Sequence, residues 1–286
     1  MQSLSIGLWR SIRCRRILKL WVISVLSVGN TGNTGNTGNT GNTGNPGYTG
    51  TRIGQGPGSA QSFRIIRYKM TLDTIIAMLA AGMVTSIQIF FYTLIGSLPL
   101  GLLVAFGRMS KFIPLKWLTR LYISVMRGTP LILQLVVVYY GPFFIFGQPI
   151  GDGYRFTATL IAFILNYAAY FGEIYRSGIE SMPRGQYEAA AVLGYSRVQT
   201  FLRIIFPQVV KRILPPITNE IITLVKDTAL AFTLGVAEMY TQARAIVSSQ
   251  GSLVAFLIAG IFYYIFNAIV AFIMERVEKA FAYYHE

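Results

Sequence analysis

The chain has 286 residues, is 53% hydrophobic and only 13% charged, and carries a formal net charge of +14. Soluble domains hold roughly 25% charged residues, so this composition excludes an ordinary soluble globular protein and describes an integral membrane one. A single cysteine, Cys14, excludes an internal disulfide and a Cys-rich metal site, and a single histidine, His285, argues against a His-based active site or metal cluster.

Residues 1–69 do not resemble the rest. They hold nine Lys/Arg and no acid. Arg10, Arg13, Arg15, Arg16 and Lys19 precede a short apolar run, 20–28, too short to span a bilayer and similar to the n- and h-regions of a signal peptide. A Gly-Asn-Thr triplet repeat then fills 29–43 and decays through 44–49. Such low-complexity polar sequence cannot bury a core, so disorder is expected. Two readings stand: a signal-like leader, or repetitive DNA translated upstream of a true start at Met70. The second is preferred, because MTLDTIIAMLAAG leads straight into the first span. The expected domains are therefore an extension, 1–69, and a transmembrane domain, 70–286.

Five spans are predicted in the second part. Residues 74–107 contain no charge, and the first span lies within 83–106. A basic loop with Arg108, Lys111, Lys116 and Arg120 follows. The second span covers 128–146. A short linker with Asp152 and Arg155 leads to the third, 156–175, with Glu173 near its end. An Arg-rich polar stretch comes next, then a fourth span, 213–234, interrupted by Glu220, Lys226 and Asp227. The fifth, 253–274, is uncharged before Glu275. Basic loops mark the cytoplasmic side, which places the loops after spans one and three inside, Met70 outside and Glu286 inside. The +9 tail would then lie outside, against the rule. Trp117, Tyr139, Tyr140, Phe143 and Tyr263 fall at span edges, where aromatic belts form. These short basic loops set orientation, so no nucleic-acid partner is expected.

The polar stretch 183–208 reads PRGQYEAAAVLGYSRVQTFLRIIFPQ. Helix formers flank Gly194, so a helix, a turn at Gly194, a second short helix and a stop at Pro207 are predicted. By physics alone this is either an amphipathic loop or a compact knob that a partner grips. Glu188, Ala189, Ala190, Gly194, Ile204 and Pro207 resemble the EAA loop of ABC importer permeases, with Phe206 where Leu is usual. Arg127, Gly128, Thr129, Pro130, Leu131 and Gln134 resemble the RGTPLLVQ signature of the polar-amino-acid branch; here Pro130 suits an early helix position and Thr129 a cap. The run ITNEIITLVKDTALAFTLGVAEM is similar to that branch's fourth-span helix, matching at Asn219, Lys226, Thr228 and at 235–238, with Ala229 for the usual Ser.

The resemblance implies an all-α permease of five transmembrane helices with a cytoplasmic coupling loop, in the bacterial cytoplasmic (inner) membrane. It also implies partners: ATPase subunits carrying ATP and Mg, a second permease subunit (identical or not), an external solute-binding protein, and a polar amino-acid substrate. The sequence has no Gly-Lys pair, hence no Walker phosphate loop, and this chain is not expected to be an enzyme or to bind a cofactor or metal. A secondary transporter or channel is the alternative class, although no internal repeat of the key stretches is visible. In the fourth span, Asn219, Glu220, Thr223, Lys226 and Asp227 should share one broad face. That face either pairs with neighbouring helices or borders a wet substrate path.

Overall fold

The computed structural model describes residues 70–281, apart from Gln148, Ile150 and Asp152. The expectations for 1–69, for Asp152 and for His285 and Glu286 fall outside the described residues. Among the described residues every regular element is helical: α1 (Leu72–Met109), α2 (Ile113–Gly128), α3 (Leu131–Phe146), α4 (Tyr154–Glu180), α5 (Arg184–Val192), α6 (Arg197–Thr200), α7 (Phe206–Asp227), α8 (Met239–Gln250) and α9 (Val254–Ala280). A π-helical turn, Phe201–Ile205, joins α6 to α7, and a 3-10 segment, Thr228–Leu234, extends α7.

Three helices, α1, α4 and α9, are each long and apolar enough to cross a bilayer. The pair α2 and α3 qualifies as a fourth span only when taken together, and it is bent by 114°. The predicted second span is thus the 16-residue α3. The basic segment before it, expected to be a loop, is a helix. Its apolar residues recur at helical spacing, but the charges between them mask the pattern in a hydropathy window. The first span also extends beyond 83–106. Thr71 caps α1 by accepting from the Thr74 N–H, Asp73 complements the helix dipole, and the extra turns pack Ile75, Leu79 and Met83 against α8 and α9. The predicted fourth span is α7 with its 3-10 extension, an amphipathic helix rather than an apolar one.

Helices α1 and α4 form the frame. A Cβ on Gly101 would stand 2.8 Å from Phe171 Cβ, and one on Gly172 would stand 2.8 Å from a Val104 methyl. The two backbones approach this closely only because glycine faces each helix. Packing through small residues is what drives helix association where lipid removes the hydrophobic advantage. Against this frame Ile89, Phe90, Leu135, Phe163, Tyr167, Phe171, Ile221 and Leu224 form one core shared by α1, α3, α4 and α7.

A buried carboxylate fixes the other end. Glu238 is fully buried and caps α8, accepting from the Tyr240 N–H at 2.6 Å and the Thr241 N–H at 2.6 Å. The Tyr263 hydroxyl on α9 donates to it at 3.1 Å and the Ser86 hydroxyl on α1 at 3.5 Å. One side chain therefore joins three helices. Glu238→Ala should cost about 3 kcal/mol, from the lost cap and the buried donors left without a partner. Glu238→Gln, which keeps an acceptor, should cost clearly less. Thermal unfolding in detergent measures both, and equal midpoints for Ala and wild type would refute the assignment.

Candidate functional site

The stretch around Gly194 is a knob made of short, separately capped pieces. Pro183, at φ −61° and ψ 138°, opens α5. The helix ends in a Schellman arrangement: the Gly194 N–H donates to the Ala191 carbonyl at 3.0 Å and the Tyr195 N–H to the Ala190 carbonyl at 3.0 Å. Gly194 has φ +76°, and a Cβ there would meet nothing within 4 Å. Glycine is therefore required by backbone conformation and not by crowding. Ser196 then starts α6 with a capping box: its hydroxyl accepts from the Gln199 N–H, and its own N–H donates to the Gln199 side chain at 2.9 Å.

The expected stop at Pro207 does not occur. Pro207 sits in the first turn of α7, where its missing N–H has no helical partner to lose. The π turn just before it absorbs the misfit, and the chain continues as helix. The base of the knob is buried through Met182, Ile205 and Val209, and the Arg212 guanidinium donates to the Ser181 carbonyl at 3.0 Å. Its tip is bare. Glu188 and Ala189 are exposed while Ala190 is buried, and Val192, Leu193 and Val198 are 87%, 72% and 67% exposed. Sequence reading missed those three. Their signal was available, since they are apolar residues within a polar stretch that carries Arg184, Arg197 and Arg203.

The residues from Arg127 to Gln134 form the sharp bend between α2 and α3. Thr129 caps neither helix in the expected way; its hydroxyl donates back to the Val125 carbonyl at 2.8 Å. Gln134 closes the bend, donating to the Met126 carbonyl at 2.9 Å and to the Thr129 hydroxyl at 2.9 Å. Asn166 on α4 donates to the Gln134 side-chain oxygen at 2.9 Å and to the Met126 carbonyl at 3.2 Å. Asn166, a lone amide within an apolar span, was a second unused signal. Gly128 is open and exposed, and Pro130 begins α3 in extended backbone. The Arg127 guanidinium lies 5.2 Å from the Tyr170 ring centre, close enough to Glu173 and Glu220 for their charges to interact. Arg176 in turn pairs with Glu173 and Glu180 along α4.

Helix α7 buries Ile217, Thr218, Ile221, Leu224 and Val225. Asn219, Thr223 and Lys226 lie on the opposite, exposed side, with Glu220 and Asp227 half-buried at its edge. The five residues do share one face. Two of them are tied down: the Tyr167 hydroxyl donates to Asp227 at 2.8 Å, and the Thr223 hydroxyl to the Asn219 carbonyl at 2.9 Å. Helix α3, which follows the bend, packs on the 3-10 segment at the end of this face, whereas the knob stands at the other end of α7. Among the described residues no group of three or more His, Cys, Asp or Glu could hold a metal ion.

Known proteins share this chain's sequence and fold. Residues 97–283 match the family model described as "Binding-protein-dependent transport system inner membrane component". The arginine transport system permease protein ArtQ of Bacillus subtilis (strain 168) is 37% identical over 199 residues, covering 69% of this chain and 90% of that protein. The L-cystine transport system permease protein TcyB of the same organism is 35% identical over 203 residues, covering 70% and 85%. A putative glutamine transport system permease protein, GlnP of Rickettsia conorii (strain ATCC VR-613 / Malish 7), is 33% identical, covering 69% and 90%. A crystal structure of an amino acid ABC transporter with histidines superposes with a TM-score of 0.66 at 30% identity, covering 74% of this chain and all of that one. The methionine transporter MetNI, inward facing, shares the fold at a TM-score of 0.55 and 18% identity. The helical architecture, the matched residues and these relatives together make the chain a member of the binding-protein-dependent transport system inner membrane components, the permease subunits of ABC importers.

Proposed function

We propose that this chain forms half of the pathway by which a polar amino acid crosses the bacterial inner membrane. One observation carries the reading: a single helix, α7, has a bare knob at one end and an exposed polar face at the other. Relatives named for arginine, L-cystine and glutamine transport support a polar amino acid as the cargo. A cation, Lys226, flanked by Glu220 and Asp227 suits a zwitterion. Lipid cannot cover that face, because a charge near the bilayer centre costs at least ~2.5 kcal/mol. A second permease subunit, of the same or a different chain, would enclose it.

The knob residues Glu188, Ala189, Ala190, Gly194 and Pro207 are assigned to docking on an ATPase subunit, which would hold the ATP and Mg. A solute-binding protein would deliver substrate on the opposite side. The Lys and Arg of α2 and of the knob support a cytoplasmic position for both, with the start of α1 outside and the end of α9 inside. The transport unit is taken to begin near Met70, with 1–69 dispensable.

Gly194→Val should insert normally yet lose ATP-driven uptake in proteoliposomes, since a β-branched residue at positive φ is strained by about 1–2 kcal/mol. Gly194→Asn, which visits that conformation, should retain most uptake. Glu188→Lys should weaken co-purification of the ATPase. Full uptake by the Val variant would end the coupling role.

Cysteines placed singly at Asn219, Thr223 and Lys226, in a Cys14→Ala background, should react with a small water-soluble thiol reagent. Cysteines at Ile221 and Leu224 should not. Substrate should slow the reaction at the first three. Inert cysteines at all three positions, with normal uptake, would leave the face a purely structural one.

A further inference from the structure

Helix α2 is built unlike its neighbours. Ile123 is its only buried residue, packed with Val104 and Ala169, and the Tyr122 hydroxyl donates to the Leu165 carbonyl on α4. These contacts hold the helix by one side and turn another side outward. That outward side carries Ile113, Trp117, Leu118, Leu121 and Val125, between 45% and 77% exposed. Their spacing places them on one arc of the helix.

Beside this arc runs a basic stripe, Lys116 and Arg120, one turn apart, with Lys111 just before the helix. None of the three makes an ion pair among the described residues, and no acid occurs in 111–128. Arg127 lies on the same stripe but is turned onto Tyr170 and is excluded. The bend between α2 and α3 is 114°, which is 24° past perpendicular. With α3 along the bilayer normal, α2 lies close to the membrane plane. A tryptophan at the junction of apolar and basic faces sits where interfacial aromatics are found.

We propose that α2 is an interfacial helix, its apolar arc sunk into the cytoplasmic leaflet and Lys111, Lys116 and Arg120 holding the phosphates of anionic phospholipids. The pattern of an apolar face flanked by cations is that of helices lying in the headgroup boundary. Charge complementarity selects the occupant: a second protein subunit covering this arc would have to supply acids to three adjacent cations, whereas an anionic leaflet supplies them along its whole surface. Only the sidedness rests on the orientation proposed above; the depth of the helix does not.

The test uses the full chain with Trp9→Phe and Trp21→Phe, which leaves Trp117 as this chain's sole tryptophan, together with the subunits that co-purify, in lipid nanodiscs; the Trp117 signal is the difference from the same complex carrying Trp117→Phe as well. Phosphatidylcholine brominated near the headgroup end of its chains should quench Trp117 strongly, and aqueous iodide weakly. Quenching by iodide alone would put the helix in water, and quenching by neither would put it under another protein; each overturns the proposal. Brominated phosphatidylglycerol should quench better than brominated phosphatidylcholine at equal content. Lys116→Gln with Arg120→Gln should remove that preference, by about 5-fold in lipid association for each charge lost. A wild-type helix indifferent to lipid charge would refute the phosphate contacts.

Discussion

Helix α7 must satisfy two environments within one membrane, and the fold is arranged around that demand. Its inward side, with Ile217, Ile221, Leu224 and Val225, is as apolar as any core helix. Its outward side carries Asn219, Thr223 and Lys226, which hydrocarbon cannot accept. The apolar side is met by α1, α4 and α9 in a single cluster. The polar side is left uncovered by the described residues, which rules out lipid as its neighbour and leaves water or protein. The separation of the two sides explains why a hydropathy measure passes α1, α4 and α9 but not α7.

Because lipid offers no hydrophobic gain for helix association, the bundle relies on close contact and on satisfied polar groups. Gly101 and Gly172 let α1 and α4 touch at backbone distance. The Gln134–Asn166 pair fastens the bend between α2 and α3 to α4, using up the Met126 carbonyl that the helix end frees. Glu238 does the same for α8, joining it to Ser86 of α1 and Tyr263 of α9. Each node closes a helix terminus with buried side chains, where an unpaired polar group would cost about 1–3 kcal/mol.

The sequence made the helical class, the apolar spans and the turn at Gly194 readable, because each has a local cause: hydropathy, period or the need for positive φ. The shared polar face of α7 was also readable, since it follows from spacing alone. Three features were not. The continuation through Pro207 depends on a π turn, a strain-relieving device with no residue signature of its own. The helicity of α2 was hidden because charges at helical spacing lower the mean hydropathy without interrupting the periodicity. The role of Gln134 depends on Asn166, more than thirty residues away, and no local reading connects them.

The knob and the polar face are mechanically continuous. The knob joins the bundle through two helices, α4 by way of Met182 just after its end and α7 by way of Ile205 just before its start and Val209 within it, and the Arg212–Ser181 contact clamps the two segments together. The same two helices meet again at the far end, where Tyr167 of α4 donates to Asp227 of α7. A force applied to the knob therefore enters along a pair of helices fastened at both ends. Between the fastenings, Pro215 and Pro216 remove two backbone donors from α7. The two bonds that α7 lacks would have ended on the carbonyls of Lys211 and Arg212, so its ladder is weakest between 211 and 216, on the knob side of Asn219. Bending there would turn the polar face relative to the fixed α1–α4 frame while leaving the apolar core in contact.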